Sequence, residues 1–229
     1  MQFELVQNVK IVFGAGKLAE LAELVKLENS SRPLVVTDKG IVAAGIAGKV
    51  LTVLKDAGLE PALFDGVEPD PSTRVVAAAW ETYTSQSCDL VIGVGGGSAM
   101  DTGKAVNILR YNEGPIIRFA KGDEMKAAPG LIVVPTTSGT GSELSDGLVI
   151  TGDDGVKYPI LATLASSEYA VVDPELMVGM PPHITASTGF DTLAHGVESY
   201  TGTAATLLSD QISKRVMEMV TRWLPVAVA

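Results

Sequence analysis

From residue 8 to about residue 135, short runs of β-branched and aliphatic residues alternate with longer segments of helical period. The runs at 9–13, 34–37, 62–64, 90–94 and 131–134 predict strands. Between them, Leu18/Leu21/Leu24/Val25, Ile46/Val50/Val53/Leu54 and Val75/Val76/Ala79/Tyr83 recur at three- and four-residue spacing, which puts each set along one face of a helix. Strands joined by covering helices build a Rossmann-like parallel sheet, the α/β class expected for this chain. Leu90-Val-Ile-Gly-Val94 has no polar alternation, so it is expected to be buried on both faces at mid-sheet.

The pattern changes after Thr136. Strands at 148–151 and 156–160 flank Gly152-Asp-Asp-Gly155 and predict a hairpin, and a further strand at 169–172 ends at Asp173-Pro174. Pro181-Pro182 is expected to stop any continuing element, which leaves His183 in a proline-bounded segment. We place a domain boundary there, with 1–180 as one domain and 181–229 as the start of another. Helices are predicted at 185–200 and at 207–224, the second with Leu208, Ile212, Val216, Met219, Val220 and Trp223 at helical spacing. Two helices cannot make a domain alone.

Composition narrows the function. The 229 residues are 46% hydrophobic and 19% charged with 24 glycines, which suits a glycine-rich globular fold and excludes disorder and coiled coil. Seventeen Lys+Arg against 27 Asp+Glu leave a net charge of -10, which opposes binding to nucleic acid or an anionic membrane. A single cysteine, Cys88, fits a reducing compartment, and neither a signal peptide nor an apolar run of membrane-spanning length is present. A cytoplasmic location is the expectation.

Chemistry is expected at two loops. Gly95-Gly-Gly-Ser98 follows the buried strand and precedes a helix at 99–109, so close backbone approach and free helix amides would hold a phosphate or pyrophosphate. A ligand-free strand-to-helix turn is the alternative. Pro135-Thr-Thr-Ser-Gly-Thr-Gly-Ser-Glu143 follows the next strand and brings hydroxyls to the same sheet edge, where open parallel sheets bind ligands. Gly14-Ala-Gly16 lacks the third glycine of the usual dinucleotide fingerprint and reads as a turn. Asp38 suits either a ribose hydroxyl or a helix N-cap. Asp191 and His195, four apart on one helix face, suit either a divalent metal or a plain surface pair.

In order and spacing, Lys10-Ile-Val-Phe-Gly-Ala-Gly16, Thr37-Asp-Lys-Gly40, Phe64-Asp-Gly-Val-Glu-Pro69, the stretch from Gly93 to Lys104, Pro135 to Glu143, Val171-Val-Asp-Pro-Glu-Leu176 and Thr188 to His195 resemble the iron-type (group III) alcohol dehydrogenases. The resemblance implies an amino-terminal dinucleotide-binding domain and an all-helical carboxy-terminal domain, with metal and nicotinamide facing each other in the cleft. It further implies that Gly95, Gly96, Gly97 and Ser98 hold the pyrophosphate with Asp101 nearby. Thr136, Thr137 and Thr140 would line the cofactor site, Leu176 would pack against the cofactor, and Lys157 would reach the nicotinamide ribose. Asp38 matches the carboxylate that favours NAD over NADP, and Asp70 stands where many relatives carry Asn.

Asp191 and His195 match the first metal ligands, with Fe²⁺ favoured over Zn²⁺. The remaining ligands, both histidines, would fall beyond Ala229, so the chain is expected to be an amino-terminal portion with a broken metal site and no turnover of its own. The implied reaction is NAD-dependent interconversion of a small primary alcohol or diol and its aldehyde, in a homo-oligomer. Glycerol dehydrogenases, maleylacetate reductases and dehydroquinate synthases lie in the same superfamily. From other classes, a non-catalytic nucleotide-binding module and an oligomerisation module are the alternatives.

Overall fold

The structure is a computed structural model and describes residues 6–229. Residues 1–5 of the expected cofactor-binding domain lie outside the described residues. The chain divides into two compact units, one formed by Asn8–Thr136 with Ser142–Leu176 and the other by Met177–Ala229 with Thr137–Gly141.

In the first unit a six-stranded parallel sheet runs in the order β1-β8-β5-β4-β2-β3. The strands are β1 Lys10–Phe13, β2 Pro33–Val36, β3 Ala62–Phe64, β4 Leu90–Gly95, β5 Leu131–Pro135 and β8 Tyr169–Val172. All six predicted strands of this sheet form, and β4 is buried along its whole length between β5 and β2, as its unbroken apolar run requires. Helices α1 (Leu21–Leu27) and α3 (Ile46–Asp56) pack on one face of the sheet, where Leu21, Val25, Val50 and Leu54 meet Val35, Ile92, Val94 and Ile132. On the other face α4 (Thr73–Ser85) and α5 (Gly97–Leu109) bring Ala79, Ala99, Met100 and Val106 against Leu34, Val36, Val91 and Val133. Alternate residues of β2, β4 and β5 therefore serve opposite layers, as the pleat demands.

The predicted hairpin forms as β6 (Gly147–Thr151) and β7 (Lys157–Leu161), antiparallel and separate from the main sheet. A five-residue helix, α2 (Lys39–Ala43), follows β2. Asp38 caps it by accepting the Ile41 amide at 3.0 Å. Gly14 and Gly16 form the expected turn with φ of 146° and 76°, and the buried Asp173 carboxylate accepts the Gly16 and Leu18 amides at 3.2 and 3.0 Å. This bond joins the end of β8 to the end of β1, a role that the motif around Asp173 did not announce.

In the second unit, α6 spans Pro182–Thr201 and α7 spans Leu207–Val228. Here the structure corrects two expectations. Pro182 opens α6 at its first position, where a missing amide costs nothing, so the proline pair starts a helix and His183 lies within it. Helix α7 also continues past Leu224, through Pro225. The two helices meet at glycine notches: a Cβ on Gly189 would lie 2.2 Å from Leu224 Cδ1, and one on Gly196 would lie 3.1 Å from Met217 Cγ. Among the described residues no helix is long and apolar enough to cross a membrane.

Candidate functional site

The strand order reverses direction between β2 and β4: the chain leaves β2 for β3 on one side and returns to β4 on the other. The carboxyl ends of two such strands diverge and leave a crevice, the place where open α/β sheets take ligands. Asp38 follows β2 there, and Gly95 to Ser98 follow and end β4. The two meet: a Cβ on Gly95 would lie 3.5 Å from Asp38 Oδ2 and 2.7 Å from Ala99 Cβ, while Gly95 has φ 147°. Only glycine satisfies both the angle and the space. Asp38 thus caps α2 and also faces the glycine loop, so its two readings are compatible.

Helix α5 starts at Gly97 behind an N-cap, Gly96, that has no side chain to satisfy the first amides. The 13-residue helix therefore presents uncapped N–H groups and the positive end of its dipole at the crevice. It can come this close because Gly93 and Gly103 leave room; a Cβ on Gly103 would lie 3.3 Å from the Gly93 Cα. Beside the loop, Thr136 donates its amide to Gly95 O at 3.0 Å. The hydroxyl of Thr136 is buried without a hydrogen-bond partner among the described residues. A buried hydroxyl without a partner is costly, and a ligand can satisfy it.

Asp101 and Lys104 lie on α5 beyond the glycine loop. Asp101 accepts the Ser142 hydroxyl at 2.7 Å on one oxygen and the Val149 amide at 2.9 Å on the other. Lys104, only 1% exposed, directs its ammonium at Ser142 O and Gly147 O, both at 2.7 Å, and at Ser142 Oγ, Ser145 O and Ser145 Oγ at 3.0–3.1 Å. Burial pushes the Asp101 pKa up, opposed by Lys104 and by the Val149 and Ser142 hydrogen bonds. Burial likewise pushes Lys104 down, opposed by the charges of Asp101, Glu143 and Asp146. Sequence reading gave Lys104 no role. The available signal was a lysine within Ala99-Met-Asp-Thr-Gly-Lys-Ala-Val106, a stretch otherwise fit for burial between sheet and hairpin.

Lys157 opens β7 opposite Thr151, and its ammonium lies 2.7 Å from Asp70 Oδ1 with both side chains exposed. Thr151 delivers that partner by donating its amide to Pro71 O at 2.8 Å and its hydroxyl to Asp70 O at 3.0 Å. Asp70 itself has φ 55°, the left-handed region that aspartate tolerates better than most residues. Leu176 is buried in the core on the α1/α3 face.

The second unit holds Thr137, Thr140, Asp191 and His195. Within it the loop 137–141 lies on α6: Thr192 donates its hydroxyl to Ser138 O at 2.9 Å, and a Cβ on Gly139 would lie 2.6 Å from Thr188 O. His195 Nδ1 lies 3.3 Å from Gly139 O, and in the neutral tautomer that donates from Nδ1 the Nε2 lone pair is available. A backbone carbonyl on the far ring nitrogen is how proteins orient a metal-binding histidine. Asp191, one turn earlier, shares that side of α6, away from the glycines that meet α7. Among the described residues no group of three or more His, Cys, Asp and Glu side chains gathers into a metal shell. His183 is 12 residues from His195 on the same helix, about 18 Å of rise away.

A sequence profile described as iron-containing alcohol dehydrogenase matches residues 8–174. The chain is 38% identical to a choline dehydrogenase of Bacillus subtilis (strain 168), over 99% of this chain and 57% of that protein. It is 35% identical to a 1,3-propanediol dehydrogenase of Klebsiella pneumoniae, over 98% of this chain and 59% of that protein. Among solved structures, it resembles a sulfoacetaldehyde reductase from Bifidobacterium kashiwanohense in complex with NAD⁺, with a TM-score of 0.93 and 32% identity, over 100% of this chain and 61% of that one. The chain thus spans about three-fifths of the length of these relatives.

Proposed function

Since the chain belongs to the iron-containing alcohol dehydrogenase family, we propose that it carries the NAD site and part of the metal site of an oxidoreductase that interconverts a small primary alcohol or diol and its aldehyde. The observation that carries this reading is the meeting of Asp38, Gly95 and the uncapped start of α5 at the switch between β2 and β4. A pyrophosphate there takes the helix amides and dipole, while the Asp38 carboxylate accepts from a ribose hydroxyl and repels a 2′-phosphate. The unpartnered hydroxyl of Thr136 supports the same guest. We assign Thr140, Lys157 and Leu176 to the cofactor on the family resemblance alone.

Asp191 and His195 fit a divalent metal: one carboxylate, and one imidazole held by the Gly139 carbonyl with Nε2 available. We assign iron ahead of zinc on the family. When bound, such a metal supplies Lewis-acid polarisation of the substrate oxygen. The chain's own contributions are to position the cofactor and to hold two donors in register on α6. In this reading 1–180 serve the cofactor and 181–229 begin a helical metal-binding domain, in a cytoplasmic homo-oligomer. The free, buried Cys88 is compatible with that compartment. Choline, 1,3-propanediol and sulfoacetaldehyde in the names of similar proteins support a small polar substrate.

The test is Gly96→Val. Gly96 has φ -79° and ψ -169°, outside the left-handed region that demands glycine, so the fold should survive while the branched side chain bars the pyrophosphate. Calorimetric titration should show NAD binding to the parent and none to the variant. Equal binding by both proteins would overturn the pyrophosphate assignment.

A further inference from the structure

Helix α5 carries the glycine loop at its first turn and, one and two turns further on, the half-buried Asp101 and the buried Lys104, which grip another part of the chain. The Ser142 hydroxyl joins them, donating to Asp101 Oδ1 and accepting from Lys104 Nζ. Asp101 spends its second oxygen on the Val149 amide of β6, and Lys104 spends its remaining capacity on the carbonyls of Ser142, Ser145 and Gly147. Every one of these partners lies between residues 142 and 149, the segment that leads from the hydroxyl-rich loop into the hairpin bearing Lys157.

We propose that Asp101 and Lys104 are positioning residues that fix residues 142–149, and through them the hairpin, against the helix whose first turn receives the pyrophosphate. The proposal rests on the cofactor reading above for its functional consequence. Three backbone carbonyls and two hydroxyls converge on one ammonium, so no neutral side chain of similar volume can satisfy them. Both Asp101 oxygens already accept hydrogen bonds from within residues 142–149. The pair acts on the nicotinamide half of the site, because the hairpin carries Lys157 while Asp38 and the glycine loop serve the adenosine and pyrophosphate half.

The experiment compares NAD with ADP, which lacks the nicotinamide half, on the parent chain and on Lys104→Met, and follows hydrogen exchange of the amides of 142–149. We expect NAD to bind about tenfold more weakly or worse, ADP affinity to stay within about twofold, and exchange in 142–149 to accelerate. Unchanged NAD affinity with unchanged exchange overturns the proposal, as does an equal loss for NAD and ADP, which marks a general role in the fold. Should Lys104→Met not fold, Ser142→Ala removes the hydroxyl bridge alone, with the same outcomes read from it. If the parent binds neither ligand, the cofactor reading fails. The exchange data then decide the clamp alone: faster exchange in 142–149 upholds it, and unchanged exchange overturns it.

Discussion

Asp89 shows how much one carboxylate can organise. It accepts the Ser30 hydroxyl at 2.5 Å and the amides of Ser31 and Arg32 at 2.9 and 3.0 Å, fixing the entry to β2 from the neighbouring entry to β4. Burial alone would push its pKa up, but these hydrogen bonds outweigh burial and bring it below its ordinary 3.8. The unfolded chain then binds the proton more readily, so the stabilisation is complete above pH 3.8 and is lost as pH falls through the folded value. Asp89→Asn should cost about 1 kcal/mol at neutral pH, discounted for partial exposure. Urea unfolding from pH 6 downward should show the gap between parent and variant closing below about pH 4. Asp38 has two roles that one substitution separates. Asp38→Ser keeps an N-cap for α2, so stability should change by only a few tenths of a kcal/mol, while removal of the charge narrows the preference for NAD over NADP. Titration of both cofactors, with a melting curve, checks the two halves of that expectation.

At the scale of elements, glycines set how closely layers approach. Gly93 and Gly103 bring α5 onto β4, which places the helix start at the sheet edge and leaves Met100 fully buried. Gly189 and Gly196, seven residues apart on α6, do the same for α7. Gly189→Val should therefore force Leu224 away and cost about 1–3 kcal/mol, the range for overpacking a tight contact. Adding Leu224→Ala should recover part of the loss. Thermal unfolding of the single and double variants measures this, and independent additive losses would show that the notch does not couple the helices.

At the scale of the whole molecule, the apolar residues of α7 are not all used by α6: Ile212 is 57% exposed, Trp223 52% and Val226 66%. Large exposed apolar patches mark association surfaces. Sedimentation of the 229-residue chain should show self-association, strengthened by salt that screens its charge of -10. Ile212→Glu with Trp223→Glu should return it to monomer, and a parent already monomeric at high concentration would contradict the expectation.

What the sequence determined by itself was the kind and order of elements. Unbroken apolar runs marked the strands, and the absence of polar alternation in Leu90 to Val94 marked the central one, because local periodicity records which faces of an element avoid water. The glycine and hydroxyl loops were legible for the same local reason, since conformational freedom and hydroxyl chemistry belong to residue types. Proline misled at 181–182, because the residue that ends one helix also suits the first turn of another, and only packing of α6 on α7 chooses. The tertiary structure alone decided that Asp38 meets Gly95 at the switch point, 57 residues along the chain. It alone turned Lys104 towards Ser142 and Gly147, and set the Gly139 carbonyl behind His195. Such partners are distant in sequence and are chosen by strand order and layer packing. No periodicity records them, because the energy that selects them exists only after the chain has closed on itself.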